Sequence, residues 1–361
     1  MIRINVTLLL LSALLILAAC GRTENTDTAA DASAADSSAA GIPVIIEEFL
    51  TDWDETDNVD SPAVWHGPDG EHWVISTCKS TDRLIVHDAA TGELVRYVGS
   101  TGEGAGQFRR PNGIAVVDDL AIVVERDNHR VQVLRLPSWE SIGIFGADDL
   151  VLPYGIALRR DAGGYVLYVT DNYETADEQV PPDSLLGERV KMFSMDVSDG
   201  RARGALLKRF GAVDGAGRLR VVESIAVDTV HNRLLLAEED ARFNDIKVYD
   251  LDGRFTGRIM GDGIFRYQPE GIVLYTLPDG EGWWITTDQD EGDNTFVIFD
   301  RRTLQHVASF KPAVIANTDG IALTQRAFGP FSAGALFAVH NDGGVGALDW
   351  QTIADSLGLG R

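Results

Sequence analysis

Apolar residues recur in short runs that alternate with clusters of Gly, Asp and Asn, from about residue 43 to the end of the chain. These runs are rich in Val, Ile and Leu, and no long segment among them has the 3.6-residue period of a helix. Short runs separated by turn-forming residues are typical of antiparallel β-strands. The hydrophobic pattern therefore predicts an all-β protein.

One strand motif occurs six times, each time with an opening residue followed by small and apolar ones. The opening residues are Asp60, Asn112, Tyr154, Glu223, Glu270 and Asp319. A second apolar strand follows every copy, and a third follows most of them. Repeats of roughly 40–50 residues with about four strands each predict a six-bladed β-propeller. The interval after the third copy is longer because of a polar insertion at 172–189, for which we predict a surface loop.

The repeat region is incomplete at both ends. The last repeat ends near Trp350 with little chain left for a fourth strand, and two apolar runs at 44–46 and 49–50 precede the first repeat without a partner. Pairing these segments would leave fewer exposed strand edges. We therefore expect an N-terminal strand to close the last blade.

The first twenty residues have the features of a secretion signal. Arg3 precedes an apolar run at 6–17 that is too short and too early to span a membrane in the mature protein. The run leads into Ala18-Ala19-Cys20-Gly21, which resembles the bacterial lipobox, whose cysteine is lipidated. An ordinary signal sequence with an incidental cysteine is the alternative.

The lipobox interpretation divides the chain into three parts: a signal peptide at 1–19, a lipidated Cys20 with a flexible tether to residue 42, and the propeller domain at 43–361. It predicts an extracytoplasmic protein that is held to the bacterial cell envelope through its N-terminal lipid only. No acidic residue directly follows Cys20, which favours the outer membrane.

Composition narrows the choice of ligand. The chain has 55 acidic and 31 basic residues, a formal net charge of −24, so nucleic acid is excluded as the main partner. A phosphorylated substrate would need local cations or a bridging metal ion. Its two cysteines cannot form a disulfide framework, and Cys78 is the only cysteine of the globular part.

The opening residues carry the candidate chemistry. The innermost strand of each blade lines the central channel, so these residues should meet at one rim. Four are carboxylates, which would raise one another's pKa unless a cation neutralised them. Oxygen ligands favour Ca²⁺ over Zn²⁺. A second polar set, which includes Lys79, Arg126 and Glu239, follows the second strands; these residues either contribute to function or cap turns.

Several short motifs support a more specific interpretation. They are Asp60-Ser-Pro-Ala-Val-Trp65, Glu223-Ser-Ile-Ala226 with Leu235-Leu-Ala-Glu-Glu-Asp240, Glu270-Gly-Ile-Val-Leu-Tyr275 and Asn317-Thr-Asp-Gly-Ile321. In this order, between about residues 57 and 349, they resemble the β-propeller phytases, a six-bladed, calcium-dependent family that hydrolyses inositol polyphosphates. The second blade, 104–133, instead resembles an NHL repeat, a unit common in binding propellers.

The resemblance implies roles for particular residues. It implies five Ca²⁺ ligands: Asp60, Glu223, Glu239, Glu270 and Asp319. It implies three catalytic contacts to substrate phosphate: Lys79, Arg126 and Tyr154. Water activated by Ca²⁺ would attack phosphorus in line, while the cationic groups stabilise the developing charge.

The chain also departs from the family pattern. Asn112-Gly-Ile replaces an N-x-D-x-R stretch, Asp171-Asn172 replaces a lysine–glutamate pair, and Asn317 replaces an aspartate. We expect a monomeric, calcium-dependent phosphomonoesterase of the phytase type that acts on phytate at the channel mouth. Two alternatives are a non-catalytic NHL-like propeller that binds a protein or glycan partner, and a calcium-dependent lactonase or esterase.

Overall fold

The computed structural model of the protein describes residues 41–360. Six sheets follow one another along the chain, and within each the consecutive strands are neighbours. The first strands of successive sheets contact each other in turn, and the first strand of the sixth sheet contacts that of the first. The predicted six-bladed β-propeller is therefore confirmed. The signal peptide, Cys20 and all but the last two residues of the tether lie outside the described residues and stay predictions.

Two short strands precede the blades: β1 (Val44–Ile45) and β2 (Phe49–Leu50). Blade one contains β3 (Val59–His66), β4 (His72–Cys78), β5 (Arg83–Asp88) and β6 (Leu94–Val98). Blade two contains β7 (Pro111–Val117), β8 (Leu120–Glu125), β9 (Arg130–Arg135) and β10 (Glu140–Phe145). Blade three contains β11 (Pro153–Asp161), β12 (Gly164–Asp171), β13 (Val190–Ser198) and β14 (Arg201–Phe210).

Blade four contains β15 (Ile225–Asp228), β16 (Arg233–Glu238), β17 (Asp245–Tyr249) and β18 (Phe255–Met260). Blade five contains β19 (Gln268–Thr276), β20 (Gly282–Gln289), β21 (Thr295–Asp300) and β22 (His306–Pro312). Blade six contains β23 (Ile321–Thr324), β24 (Ala335–His340) and β25 (Gly344–Asp349), and helix α1 (Trp350–Leu357) follows it.

The N-terminal segment completes blade six. Strand β2 pairs antiparallel with β25, with Phe49 opposite Ala347 and Leu50 opposite Gly346. The Phe49 ring lies 6.4 Å from that of Phe331 in blade six. The prediction that an N-terminal strand closes the last blade is confirmed.

Strand β1 has a different partner. It pairs parallel with β22 of blade five, with Val44 opposite Lys311. The expectation that run 44–46 also joins the last blade is therefore wrong. Ile45 is 2% exposed and packs in the core that includes Phe310, so burial of this side chain explains the position of β1.

The chain ends in a helix that covers the core between blades five and six. The Asp349 carboxylate accepts a hydrogen bond from the Thr352 N–H at 2.9 Å and caps the first turn of α1. Trp350, fully buried, stacks on Tyr275 of β19 with ring centroids 4.2 Å apart. Within 41–360, no helix is long and apolar enough to span a membrane.

Threonines near the ends of second strands join neighbouring blades. The Thr77 hydroxyl donates to the Asn112 carbonyl of blade two at 2.6 Å, and the Thr170 hydroxyl donates to the Glu223 carbonyl that leads into blade four at 2.8 Å. Thr287 differs, because its hydroxyl donates to the Glu270 carbonyl of its own blade at 2.6 Å and lies 3.3 Å from the Thr318 carbonyl that leads into blade six. The bonds of Thr77 and Thr170 hold the opening residue of one blade against the preceding blade.

The insertion at 172–189 lies on the surface, as predicted, and residues 176–179 are exposed. Its last residue, Arg189, is fully buried. The Arg189 guanidinium donates to four backbone carbonyls, those of Asp171, Tyr173, Leu219 and Arg220. This clamp fixes the base of the loop next to blade four.

Candidate active site

A cavity of about 280 Å³ lies at the centre of the ring, lined by residues at or beside the first strands of all six blades. Five of the six opening residues line it: Asp60, Tyr154, Glu223, Glu270 and Asp319. Asn112 does not, and Gly113 lines the cavity in blade two. The Asn112 side chain is fully buried, and neither of its amide atoms has a hydrogen-bond partner.

Irregular pairing lies beside several opening residues. The register between first and second strands shifts next to Asp60, Tyr154 and Glu270. Such a bulge bends the strand and redirects its side chains, so it re-aims the residue that it contains. This local irregularity places a polar side chain at the end of an otherwise apolar strand.

The residue that follows an opening residue has to be small where neighbouring blades come into close contact. A Cβ atom at Gly155 would lie 2.1 Å from the Glu223 carbonyl oxygen, and one at Gly320 would lie 2.5 Å from the Asp60 carbonyl oxygen. Both distances are shorter than any non-bonded contact of a side-chain carbon. The repeated motif of opener and glycine therefore sets how closely the first strands converge around the cavity.

Three carboxylates converge on one side of the mouth. Glu223, Glu239 and Glu270 each offer an oxygen atom, and these atoms all lie within 4.8 Å of one another. Burial and the Asp60 carboxylate raise the pKa of Glu223 to about 7. Burial and the neighbouring glutamates raise the pKa values of Glu239 and Glu270 well above their usual range. Glu239 Oε1 is buried without a hydrogen-bond partner.

The other two carboxylates hold a lysine. Lys79 Nζ lies 2.8 Å from Asp60 Oδ1 and 3.2 Å from Asp319 Oδ2. Burial opposes the charge of Lys79, but the two carboxylates raise its pKa above the usual value. Burial also raises the pKa of Asp319 to about 8, against the opposing effect of Lys79. The five predicted ligands thus form a lysine-bound pair and a glutamate triad.

Tyr154 lies beside the triad. Its hydroxyl hydrogen-bonds to Glu223 and lowers the pKa of that carboxyl, against the effect of burial. Burial and the surrounding carboxylates raise the pKa of Tyr154 itself well above its usual value. The phenol therefore keeps its proton and acts as a hydrogen-bond donor at the mouth.

A second position repeats around the mouth, at the end of the second strand or directly after it. In four blades its backbone N–H donates to the carbonyl two residues before the opener of the same blade. These residues are Lys79, Arg126, Asn172 and Glu239, and their N···O distances are 2.9, 3.0, 2.9 and 3.0 Å. The shared bond shows that these four residues occupy equivalent positions.

Most residues at this second position contact an opener. Asn172 Nδ2 donates to Glu223 Oε1 at 3.3 Å, and Gln289, in the corresponding place of blade five, donates to Asp319. Arg126 differs, because its Nε lies 2.7 Å from Asp127 Oδ1. Within 41–360, no hydrogen bond or ion pair joins Arg126 to an opening residue.

The acidic residue just before this second position has another role. Asp171 is fully buried and accepts the backbone N–H groups of Val151 and Leu152 at 3.0 and 2.7 Å. Glu238 accepts those of Arg220 and Val221 in the same way. For these strand-end acids the turn-capping alternative is confirmed.

Sequence analysis did not assign a role to Asn172 or Gln289. Asn172 was a member of the second polar set and part of the replacement for a lysine–glutamate pair; its amide contacts the triad. The available signal was position at the end of the second strand. Asn172 directly follows the residue that pairs with the start of β11, as Lys79 does for β3, and Gln289 itself pairs with the first residue of β19.

Two solved structures illustrate the distant similarity of this chain to known proteins. A chain in a crystal structure of a nidogen/laminin complex is 14% identical, with 72% of this chain and 82% of that chain covered, at a TM-score of 0.47. Hydrazine synthase of Kuenenia stuttgartiensis is also 14% identical, with 87% and 82% covered, at a TM-score of 0.47. No curated protein matches the sequence.

Family comparisons match two separate parts of the chain. The Phytase family matches residues 211–335, a segment that includes Glu223, Glu239, Glu270 and Asp319. The NHL repeat matches residues 108–134, within the second blade. Both resemblances predicted from the sequence are confirmed: the chain is a six-bladed β-propeller with one segment that matches the Phytase family and one that matches the NHL repeat.

Proposed function

We propose that the protein is a calcium-dependent phosphomonoesterase of the phytase type, which releases phosphate from an inositol polyphosphate at the channel mouth. One observation carries this proposal: the match to the Phytase family over 211–335 contains all three members of the glutamate triad. The match itself supports a phytase-like hydrolase; the ion and the substrate belong to the proposal.

The triad fits a hard divalent cation. Glu223, Glu239 and Glu270 supply only oxygen donors, which Ca²⁺ prefers. The unpartnered, buried Glu239 Oε1 is an acceptor that a cation would satisfy. We propose that these three residues hold the ion, with Asp60 and Asp319 beside them. Bound Ca²⁺ supplies Lewis-acid polarisation of phosphate and activation of water.

Protein groups around the triad would bind and orient the substrate. Lys79 presents a buried ammonium group to an incoming phosphate, and Tyr154 presents a proton donor. Asn172 and Gln289 orient the carboxylates of Glu223 and Asp319 through their amides. Donors that are fixed before the substrate arrives need little reorganisation during reaction, which is how such sites stabilise developing charge.

The test is phosphate release from phytate by the purified protein, first with millimolar Ca²⁺ and then with a chelator. We expect release that depends on Ca²⁺. Replacing Glu270 in Glu270→Gln should lower kcat/KM by at least about 100-fold, the upper end of the cost of mutations around metal ligands. The exposed Glu140→Gln is the matched control and should retain activity. Release that persists in chelator and in Glu270→Gln would contradict the proposal.

The NHL repeat favours a second candidate function. Residues 108–134 match the NHL repeat, a unit common in binding propellers. Arg126 in this blade pairs with Asp127 rather than with the carboxylates at the channel mouth. A propeller that binds a protein or glycan partner would release no phosphate at any Ca²⁺ concentration. The same assay therefore separates the two functions.

A further inference from the structure

Two histidines face each other at the far ends of β3 and β4. His66 and His72 are opposite in register, and their Nδ1 atoms lie 2.7 Å apart. Their rings meet edge-on, with centroids 4.8 Å apart. His66 is six residues beyond Asp60 along β3, which corresponds to about 20 Å at 3.3 Å per residue. The pair is therefore separate from the acidic ring.

The chemistry of two facing imidazole nitrogens requires something between them. Each neutral imidazole has one N–H and one lone pair. Two Nδ1 lone pairs that point at each other repel, so either a proton or a metal ion must lie between His66 and His72. Imidazole nitrogen is a preferred ligand of Zn²⁺ and Cu²⁺.

The contacts of His66 are compatible with the tautomer that a metal needs. His66 Nε2 lies 2.7 Å from the Thr324 hydroxyl of blade six. When Nε2–H donates to this hydroxyl, the Nδ1 lone pair remains free. Histidines that bind metals almost always have their second nitrogen hydrogen-bonded in this way. Burial and His72 also lower the pKa of His66 to about 4, so the ring is neutral at neutral pH.

The pair needs little movement to coordinate an ion. Zn–N bonds of about 2.0–2.1 Å in tetrahedral geometry place two nitrogens about 3.3 Å apart. The present separation is 2.7 Å, and small rotations of the rings provide the difference. Both rings pack against Phe328, at 5.1 and 5.0 Å, which restricts them to this face.

We propose that His66 and His72 form a second metal site, for Zn²⁺ or Cu²⁺, distinct from the carboxylate site at the channel mouth. Within 41–360 the triad is the only group of three potential ligands, so the histidine site offers two protein ligands. Its remaining coordination positions belong to water or a small exogenous ligand.

The test is Zn²⁺ titration of the full chain by calorimetry. Excess Ca²⁺ is present so that it occupies the carboxylate site at the channel mouth. We expect one Zn²⁺ per chain, and at least about a tenfold loss of affinity in His66→Gln and in His72→Gln. The matched control is His306→Gln, whose exposed ring hydrogen-bonds to Ser309; its affinity should equal that of the wild type. Glu270→Gln should also keep Zn²⁺ binding. Unchanged affinity in both histidine variants, or loss only in Glu270→Gln, would overturn the proposal.

A measurement on the wild-type protein covers the case in which the variants do not fold. Cu²⁺ bound to the full chain in excess Ca²⁺ should give an electron paramagnetic resonance spectrum with hyperfine coupling to two imidazole nitrogens. A spectrum with oxygen ligands only, or coupling to a single nitrogen, would overturn the site.

Discussion

The pKa of a buried carboxyl group depends on whether its neighbours are cations or other carboxylates. Asp228 is fully buried and contacts Arg301 at 2.7 Å, Arg233 at 3.2 Å and His231 Nδ1 at 2.9 Å. Burial raises the pKa of a carboxyl, but Arg301 and its neighbours lower that of Asp228 to about 2. For Glu270, burial and the neighbouring acids act in the same direction and raise its pKa. Asp228 therefore stays charged in a structural ion pair, whereas the protein supplies no comparable stabilisation for a charged Glu270.

The Asp228 network predicts a large loss of stability in Asp228→Asn. Two buried guanidinium groups would lose their counter-charge, which costs about 3–5 kcal/mol when a buried pair is broken. The free energy of unfolding from urea titration at neutral pH measures this loss. Asp252→Asn is the control, because Asp252 is 78% exposed and its ion pair with Arg254 is long, at 3.7 Å; it should change stability by less than about 0.5 kcal/mol.

The same network predicts how the stability of the protein changes with pH. The pKa of Asp228 is lower in the folded protein than the value of about 3.9 in an unfolded chain. Its stabilisation is therefore complete above about pH 4 and is lost as the pH falls towards 2. Asp228→Asn should lack this part of the acid-induced decrease; an identical decrease in both proteins would contradict the assignment.

At the scale of elements, the sequence predicts the regular parts best. Strand runs and the six openers are visible because apolar alternation and a repeated polar position do not depend on distant contacts. The partner of β1 was not predictable, since a two-residue strand is placed by the burial of Ile45 in another blade. Asn112 matches the other opening residues in sequence, yet it does not line the cavity. Polarity alone does not specify the direction of a side chain at a bulge.

The threonine bonds between blades predict a second stability effect. In Thr170→Val the side-chain volume is kept, but the Gly155 N–H and the Glu223 carbonyl lose their partner. A buried, unpaired polar group costs about 1–3 kcal/mol, so the unfolding free energy should decrease by that amount. Thr91→Val is the control on an exposed turn. Equal stability of the two variants would mean that the bond does not join the blades.

For the whole molecule, a formal charge of −24 and a buried acidic triad predict that Ca²⁺ stabilises the fold. Calcium at 100 times its Kd should add about 2.7 kcal/mol, because it binds only the folded state. Thermal unfolding of the wild type with Ca²⁺ and with chelator measures this shift.

We expect Glu239→Gln to be more stable than the wild type in chelator, and to gain less stability than the wild type from Ca²⁺. Removing one carboxylate relieves repulsion, so the melting temperature in chelator should rise above that of the wild type. The added stability from Ca²⁺ should largely disappear, because one ligand is lost. Glu140→Gln should follow the wild type in both conditions. A wild-type melting temperature that is independent of Ca²⁺ would rule out the triad as a calcium site.

Blade six contains strands from both ends of the propeller domain, and this has a consequence for biosynthesis. Strand β2 is among the first parts of the propeller to leave the ribosome, but its partner β25 is among the last. Until β25 is available, Phe49 and Leu50 lack the strand with which they pair in the folded protein. A product truncated before β25 never closes, keeps an unpaired edge on β24, and is an open target for proteases. The sheet of blade six is therefore complete only when both ends of the propeller domain are present.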